Sequence, residues 1–399
     1  MSFGATVAVV YLVYRCLNDH GLPSINIKTT AGVRRGGAAA GTAELTPLLP
    51  DSAIRGTTIE KFLNEIAREK PIQFTSEQLD RYTQQRSAEL GAGGYGVVYK
   101  GMLPNGLDIA VKFLHDHMGT DATEQQFMDQ PRQPHVLIRL IGFCFDSGSH
   151  RTLVYEFMAK TSLDKYLFDR SHRVSSPSTL LAIATGVARG LRYLHEECQK
   201  KIIHYDVKPG NVLLAGDGEA LTAKLTDFGI ALLLSRADTQ SRTRRCTGYV
   251  INGGSSSPVT EKCDVYSFGM LLFEIIGRRK NMDNDAVEED HRWLPLLAWT
   301  KFDNGELVDL VKEWRSVSDG EEEEERWKET AERMCKVAFL CVRELLEARP
   351  TMSMVVNMLE GYLDIPAPVY PFGWMYPPEA ASSRSGGSTN SDVMISIDT

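Results

Sequence analysis

Cysteine is sparse in this sequence and badly placed for pairing. The seven cysteines (Cys16, Cys144, Cys198, Cys246, Cys263, Cys335, Cys341) are odd in number, scattered, and include no Cys-x-x-Cys pair. That excludes a disulfide framework and a structural zinc site, and it fits a reducing compartment. Positive charge is not in excess either, because 44 basic residues stand against 52 acidic ones, a net charge of −8. Without a dense basic face there is no footprint for a phosphate backbone, so nucleic acid is excluded as the main partner. Solenoid-length repeats are absent, as are the long apolar runs of a polytopic membrane protein. With 43% hydrophobic and 24% charged residues over 399 positions, the composition is that of a globular chain with room for one large domain or two modest ones.

Residues Met1 to Tyr14 are uncharged and mostly apolar, but at about 1.5 Å each they reach roughly 21 Å, short of the roughly 30 Å hydrocarbon core. Arg15 follows this run, with Lys28, Arg34 and Arg35 beyond it. A secretory signal has the opposite order, and the order here is that of the cytoplasmic end of a membrane span. Ser2 excludes N-myristoylation, whereas Cys16 beside the apolar run is a candidate for palmitoylation. Membrane association through residues 1–16 therefore stands as an expectation beside that of a free arm. Residues 31–43 are Gly/Ala-rich without an apolar period and describe a flexible linker. Thr57-Thr58-Ile59-Glu60 then has capping-box form, with Ile59, Phe62, Leu63 and Ile66 at i, i+3, i+4 and i+7 ahead of Pro71. This predicts a short amphipathic helix docked on the body that follows.

The first chemical signal is Leu90-Gly91-Ala92-Gly93-Gly94-Tyr95-Gly96-Val97-Val98, a G-x-G-x-x-G-x-V pattern in which missing β-carbons let backbone N–H groups approach phosphate oxygens. A dinucleotide-binding loop would continue into a helix. Here Val97-Val98-Tyr99-Lys100 is β-branched and aromatic, and Pro104-Asn105-Gly106 marks a hairpin turn into Ile109-Ala110-Val111-Lys112. That context favours a glycine flap over ATP, with Lys112 on the third strand holding the α- and β-phosphates, above a plain Gly-rich hairpin.

The second signal is His204-Tyr205-Asp206-Val207-Lys208-Pro209-Gly210-Asn211. It follows a helical stretch with Leu180, Ile183, Val187, Leu191 and Leu194 at spacings of 3, 4, 4 and 3. Phosphoryl transfer needs a carboxylate near the attacking hydroxyl, a cation for the charge developing on the moving phosphate, and oxygen ligands for Mg²⁺. Asp206, Lys208 and Asn211 supply these in one loop. Thr226-Asp227-Phe228-Gly229 then offers a second carboxylate for the metal.

On these motifs the chain resembles a eukaryotic protein kinase, and among these the plant receptor-like and receptor-like cytoplasmic Ser/Thr kinases, over roughly Phe74 to Gly361. Leu153-Val154-Tyr155-Glu156-Phe157-Met158 is similar to the family's adenine hinge with Tyr155 as gatekeeper. Asp264-Val265-Tyr266-Ser267-Phe268-Gly269 is similar to the start of the central helix of the second lobe, and Arg349-Pro350-Thr351-Met352 to the signature near the domain's end. Lys208-Pro209 is the Ser/Thr form of the catalytic loop. Phe74-Thr75-Ser76-Glu77-Gln78-Leu79 and Met358-Leu359-Glu360-Gly361 resemble the leaf-rust-resistance branch.

The resemblance implies an α+β, two-lobed protein kinase fold. Its N-lobe is antiparallel and β-rich, with five strands over residues 86–157, and its C-lobe (158–365) is mainly helical. Ahead of them lie the arm and linker (1–56) and a juxtamembrane-like helical segment (57–85), and after them a partly disordered tail (366–399). ATP is implied to contact Leu90, Gly91, Gly93, Gly96, Val98, Ala110, Lys112, Glu156, Met158 and Leu213. Asp206 and Lys208 are implied to be catalytic, and Asn211 and Asp227 to hold Mg²⁺. The implied partners are a protein substrate and a receptor or co-receptor kinase, and the implied place is the cytoplasm or the inner face of the plasma membrane.

Two pieces depart from the family. Only 24 residues (115–138) separate Leu114 from Arg139, with Pro131 and Pro134 among them. The helix expected there is cut short, and Gln130 stands where the family's lysine-pairing Glu would be, with Glu124 as a substitute. After Thr247-Gly248-Tyr249 the family's Ala-Pro-Glu is missing over residues 250–258. Arg349 is then expected either to be partly hydrated or to be reached by another acid, since stripping a buried charge of its partner costs about 3 to 5 kcal/mol. Both changes suit an altered splice form as well as an evolved pseudokinase, so a nucleotide-binding scaffold is the alternative to an active enzyme. Tyr205 replaces the Arg that would clamp an activation-loop phosphate, the form linked by resemblance to immune signalling. Glu321 to Glu325 is expected to be a solvated loop, and Trp374 with the prolines before it is expected to pack on the C-lobe.

Overall fold

The glycine-rich segment and the residues after it form the hairpins that the sequence predicts. Strands β2 (Glu89–Gly93), β3 (Gly96–Met102) and β4 (Asp108–Leu114) pair antiparallel in succession, and β5 (Leu140–Cys144) and β6 (Thr152–Glu156) complete the expected five. A further strand was not expected. β1 (Ile72–Gln73) adds parallel to β5 with Ile72 opposite Gly142, giving one six-stranded mixed sheet in the order β1-β5-β6-β4-β3-β2. The parallel edge exists because position 142 has no side chain. A Cβ there would lie 2.2 Å from the Ile72 carbonyl oxygen and 2.5 Å from the Phe74 ring. The computed structural model describes residues 49–68, 71–93, 96–115, 135–145, 151–159, 162–169, 176–198, 201–216, 221–227, 260–283, 291–311 and 321–373. The expectations for the amino-terminal arm and linker, Gly94 and Tyr95, Glu124 and Gln130, Phe228 and Gly229, the segment 230–258 and Trp374 with the tail lie outside them.

Alternation along β4 sends its two faces to two cores, as the period of 2 dictates. Ile109, Val111 and Phe113 pack with Ile54, Phe62, Phe74, Leu79 and Tyr82 from helices α1 (Asp51–Arg55), α2 (Ile59–Arg68) and α3 (Ser76–Tyr82) and the chain between them. The amino-terminal helices thus cover the outer face of the sheet. The other face contributes Leu114, Leu140, Phe143, Leu153 and Tyr155 to the larger core shared with the helical part of the molecule. Helix α2 forms as predicted, but its cap is Thr58, whose Oγ1 accepts from the Lys61 N–H at 3.4 Å. Thr57 instead donates from Oγ1 to the Ala53 carbonyl at 2.9 Å, so the first threonine is spent on the preceding helix. α3 opens with a full capping box between Thr75 and Gln78.

In the second lobe, α4 (Leu163–Phe168) leads to α5 (Pro177–Arg192), where Leu180, Ile183, Val187 and Leu191 are all buried as their spacing predicts. The last turn widens into a π-helical segment over Tyr193–Glu197. The hairpin β7 (Val212–Ala215) and β8 (Thr222–Leu225) follows, and then α6 (Lys262–Gly277), buried along almost its whole length. α7 (Leu294–Asp303) and α9 (Glu321–Cys341) pack against α6, α8 (Leu307–Leu310) against α7 and α9, and α10 (Met352–Glu360) against α5 and α9. The acidic run is not a loop. Glu321 to Glu325 is the beginning of α9, where the positive end of the helix dipole favours carboxylates. Before Trp374 the chain packs on the C-lobe, with the Phe372 ring edge-on to Trp293 at 4.7 Å.

Candidate active site

Lys112 lies on the inward face of β4, opposite Val98 on β3 and Leu153 on β6, and Gly91 faces Val98 across the hairpin. The glycine segment, Val98 and the lysine therefore occupy one rung. A Cβ at Gly91 or Gly93 would meet nothing within 4 Å, so the flap is open where phosphate would approach. Gly96 is required for another reason: its φ is 150°, and a Cβ would sit 2.1 Å from the Phe113 carbonyl oxygen. Ala110, Met158 and Leu213 pack against the larger core from both lobes. Leu90 falls at a shift in the β2–β3 register and is 44% exposed, at the rim rather than inside.

The loop at residues 204–211 is suspended from α6. Asp264, 0% exposed, accepts the His204 N–H on Oδ2 at 2.6 Å and the Tyr205 N–H on Oδ1 at 2.9 Å, and His195 Nε2 meets Oδ2 at 2.9 Å. This holds Tyr205 at φ 67°, a conformation that costs a non-glycine residue about 1 kcal/mol or more and persists only when its neighbours enforce it. His204 links the loop to the next motif. Its Nδ1 accepts the Asp206 N–H at 3.2 Å, so Nε2 is the nitrogen that donates to the Thr226 carbonyl at 2.7 Å. One residue on, Asp227 is itself left-handed, at φ 66°.

Five of the expected residues lie in two groups there, Asp206 with Asn211 and Lys208, and Asp227 with Lys112. Asn211 donates from Nδ2 to the Asp206 carbonyl and to Asp206 Oδ2, both at 2.8 Å, so its Oδ1 is the atom left as an oxygen ligand. Lys208 Nζ lies 3.1 Å from the same Asp206 oxygen. Lys112 Nζ, 5% exposed as a residue, crosses from the first lobe to Asp227 Oδ2 at 2.8 Å. Burial, with the Asp227 charge adding to it, pushes the Tyr155 phenol far above the usual tyrosine range, and its hydroxyl has no hydrogen-bond partner. The donor set is one of hard oxygens from two side chains, and among the described residues no group of three or more His, Cys, Asp or Glu gathers. That fits a divalent ion which takes its remaining ligands from phosphates and water.

Sequence reasoning missed the roles of Asp264, His195 and His204 as anchors, although all three lie in or beside motifs it singled out. Arg349 is expected from the sequence to be either partly hydrated or reached by another acid. That residue is 2% exposed, so it is not hydrated. Its guanidinium donates to the carbonyls of Arg343 (2.7 Å), Lys262 (3.0 Å) and Glu344 (3.3 Å) and stands 4.9 Å from the Tyr266 ring centroid. Burial lifts the Tyr266 phenol to about 12, although the cation beside it pulls the other way.

A family model described as protein tyrosine and serine/threonine kinase matches residues 84–359. A G-type lectin S-receptor-like serine/threonine-protein kinase of Arabidopsis thaliana is 38% identical over 319 residues, which is 77% of this chain and 37% of that protein. Rust resistance kinase Lr10 of Triticum aestivum is 35% identical over 330 residues, 79% of this chain and 49% of the relative. A leaf rust 10 disease-resistance locus receptor-like protein kinase-like protein of Arabidopsis thaliana is 34% identical over 325 residues, 78% of this chain and 36% of the relative. The chain thus spans about a third to a half of the length of these relatives.

Proposed function

We propose a function from one premise: the chain belongs to the protein tyrosine and serine/threonine kinase family. It is a Ser/Thr protein kinase that transfers the γ-phosphate of Mg-ATP to protein hydroxyls in plant receptor-like signalling. The observation that carries this reading is the pairing of Lys112 with Asp227 at 2.8 Å beside the group of Asp206, Asn211 and Lys208, held at 2.8 and 3.1 Å, the two being joined by the Thr226 N–H to the Asn211 carbonyl at 2.9 Å. ATP supplies the phosphoryl group when it is bound with the metal. Lys112 and the backbone of Gly91, Gly93 and Gly96 orient the phosphates, while Asn211 Oδ1 and the Asp227 carboxylate hold Mg²⁺. Val98, Ala110, Met158 and Leu213 enclose the base with Leu90 at the rim, and Glu156 and Met158 offer backbone hydrogen bonds to it. Asp206 orients the substrate hydroxyl and takes its proton, and Lys208 neutralises charge on the moving group.

The active unit is residues 86–365, with the helices at 51–82 as part of its first lobe because they share its core. Among the described residues no helix is long and apolar enough to cross a membrane. Residues 1–16 are the segment that associates with a membrane, and the partners are a protein substrate and a receptor or co-receptor kinase like the relatives named above. The test is incubation of purified protein with Mg²⁺ and γ-labelled ATP, followed by phosphoamino-acid analysis. Phosphoserine and phosphothreonine should form with the wild type, and labelling at the level of Asp206→Asn would refute the reading.

A further inference from the structure

Strand β5 is gripped by the amino-terminal segment at three successive points. Arg139, the residue before the strand, donates from Nη1 to the Leu63 carbonyl of α2 at 3.2 Å. Ile72 faces Gly142 across the parallel ladder, and the Phe74 N–H reaches the Phe143 carbonyl at 2.8 Å. α2 is itself seated by Phe62, which is buried in the outer core. Arg139 also meets the segment that joins the lobes. Its N–H donates to Glu156 Oε1 at 2.9 Å and its carbonyl accepts the Glu156 N–H at 3.0 Å, so both backbone groups of residue 139 hold residue 156. Just beyond, the β5–β6 register shifts between Leu140 and Gly142. Such an irregularity bends a strand and interrupts its ladder, which sets the contact between residues 139 and 156 apart from the regular pairing. The Arg139 side chain therefore fixes, from α2, a piece of chain that the rest of the ladder does not hold.

We propose that Arg139 is a positioning residue that couples the seating of α2 to the nucleotide cleft. This rests on the reading of the cleft as a nucleotide site. A guanidinium donates in a fixed plane, so the Leu63 carbonyl must keep its place for the bond to persist. The donor is charged and the residue half-buried, which makes this hydrogen bond stronger than a neutral one at the surface. With α2 seated, residue 139 is held, and it holds the start of the segment whose backbone at Glu156 and Met158 is offered to the base. With α2 lifted, that segment loses its outer support, and the base must order it on binding. The coupling is reciprocal: if a seated α2 favours the nucleotide, the nucleotide favours a seated α2 by the same factor. The effect falls on the base, because Asp206, Asn211 and Asp227 belong to the second lobe and do not hang from β5. Turnover at saturating ATP therefore stays as it is.

The experiment is amide hydrogen exchange over residues 62–68 of α2, with and without Mg-ADP, beside calorimetric titration of ADP and adenosine, in the wild type, Arg139→Met and Arg139→Lys. Mg-ADP should slow exchange of α2 about fivefold in the wild type and leave it unchanged in Arg139→Met. Arg139→Met should weaken ADP and adenosine by the same factor, and it should raise the KM for ATP with kcat unchanged. Arg139→Lys keeps a charged donor and should lie closer to the wild type than to Arg139→Met in both readouts. A merely stabilising contact would instead speed α2 exchange equally with and without ADP and leave the affinities alone. The coupling is refuted by wild-type α2 exchange that Mg-ADP does not change, a result that needs no variant. It is refuted equally by Arg139→Met affinities equal to the wild type, or by an Arg139→Lys as weak as Arg139→Met. Failure of the wild type to bind either ADP or adenosine would refute the nucleotide reading of the cleft.

Discussion

Replacing Asp264 with Asn removes a charge that no solvent touches and turns one of its two oxygens into a donor. As found, Oδ2 serves His204 N–H at 2.6 Å and His195 at 2.9 Å, and Oδ1 serves Tyr205 N–H at 2.9 Å. Whichever way the amide turns, at least one buried N–H faces an NH₂ group. Orphaning a buried donor costs about 1 to 3 kcal/mol, and more where the lost acceptor was charged, so about 3 kcal/mol of stability should go. At about 2 °C per kcal/mol for a unit of this size, the melting temperature should fall by about 6 °C. The effect on turnover should be larger than stability alone explains. Tyr205 is held at φ 67° by these bonds, and once released it pulls Asp206, the next residue, off its place. A displacement of about 1 Å at such a group costs about 10²-fold in rate. Mg-ATP affinity should change much less, since Lys112 and the glycine flap hang from the other lobe. The assay is a thermal melt beside steady-state phosphotransfer with ATP and protein substrate varied separately. A variant that melts and turns over like the wild type would refute the claim that α6 suspends the catalytic loop.

Two further outcomes follow from the first lobe. Gly142→Ala places a Cβ against the Ile72 carbonyl and the Phe74 ring, so β1 should detach at a cost of about 1 to 3 kcal/mol. A lower melting temperature with new proteolytic cuts between residues 56 and 83 is expected, and wild-type protection would count against the parallel edge. Burial raises the Asp51 carboxyl, but hydrogen bonds from Tyr82 and Gln78 and the charges of Arg81 and Arg55 outweigh it and leave it below its ordinary 3.8. A depressed folded value means stability is fully present above the ordinary value and is lost as pH falls through the folded one. Asp51→Asn should therefore show a shallower loss of melting temperature below about pH 4, and identical acid limbs would disprove the coupling.

Much of this was written locally in the chain. Gly91 to Lys112 reads as strand, turn and strand because each signal lies within a few residues, and Asp206, Lys208 and Asn211 share one loop. The leucine spacing of α5 predicts its buried face for the same reason. What escaped depends on contacts between distant positions. The parallel edge needs Gly142 to meet Ile72, and the anchor needs Asp264 beneath residues 204 and 205. Nothing in the sequence near Arg349 foretells that carbonyls and a tyrosine ring would surround it. The acidic run was misjudged because composition alone says solvated, and a helix start is solvated too.

The central claim is that Lys112, Asn211 and Asp227 gather around one metal-bound nucleotide, and the most direct test is the magnesium dependence of ATP binding. Titration of ATP into the wild type should give markedly tighter binding with Mg²⁺ than without it, while Asp227→Asn should lose that difference and still bind adenosine as the wild type does. An Asp227→Asn protein whose ATP affinity still rises with magnesium as in the wild type would contradict the account.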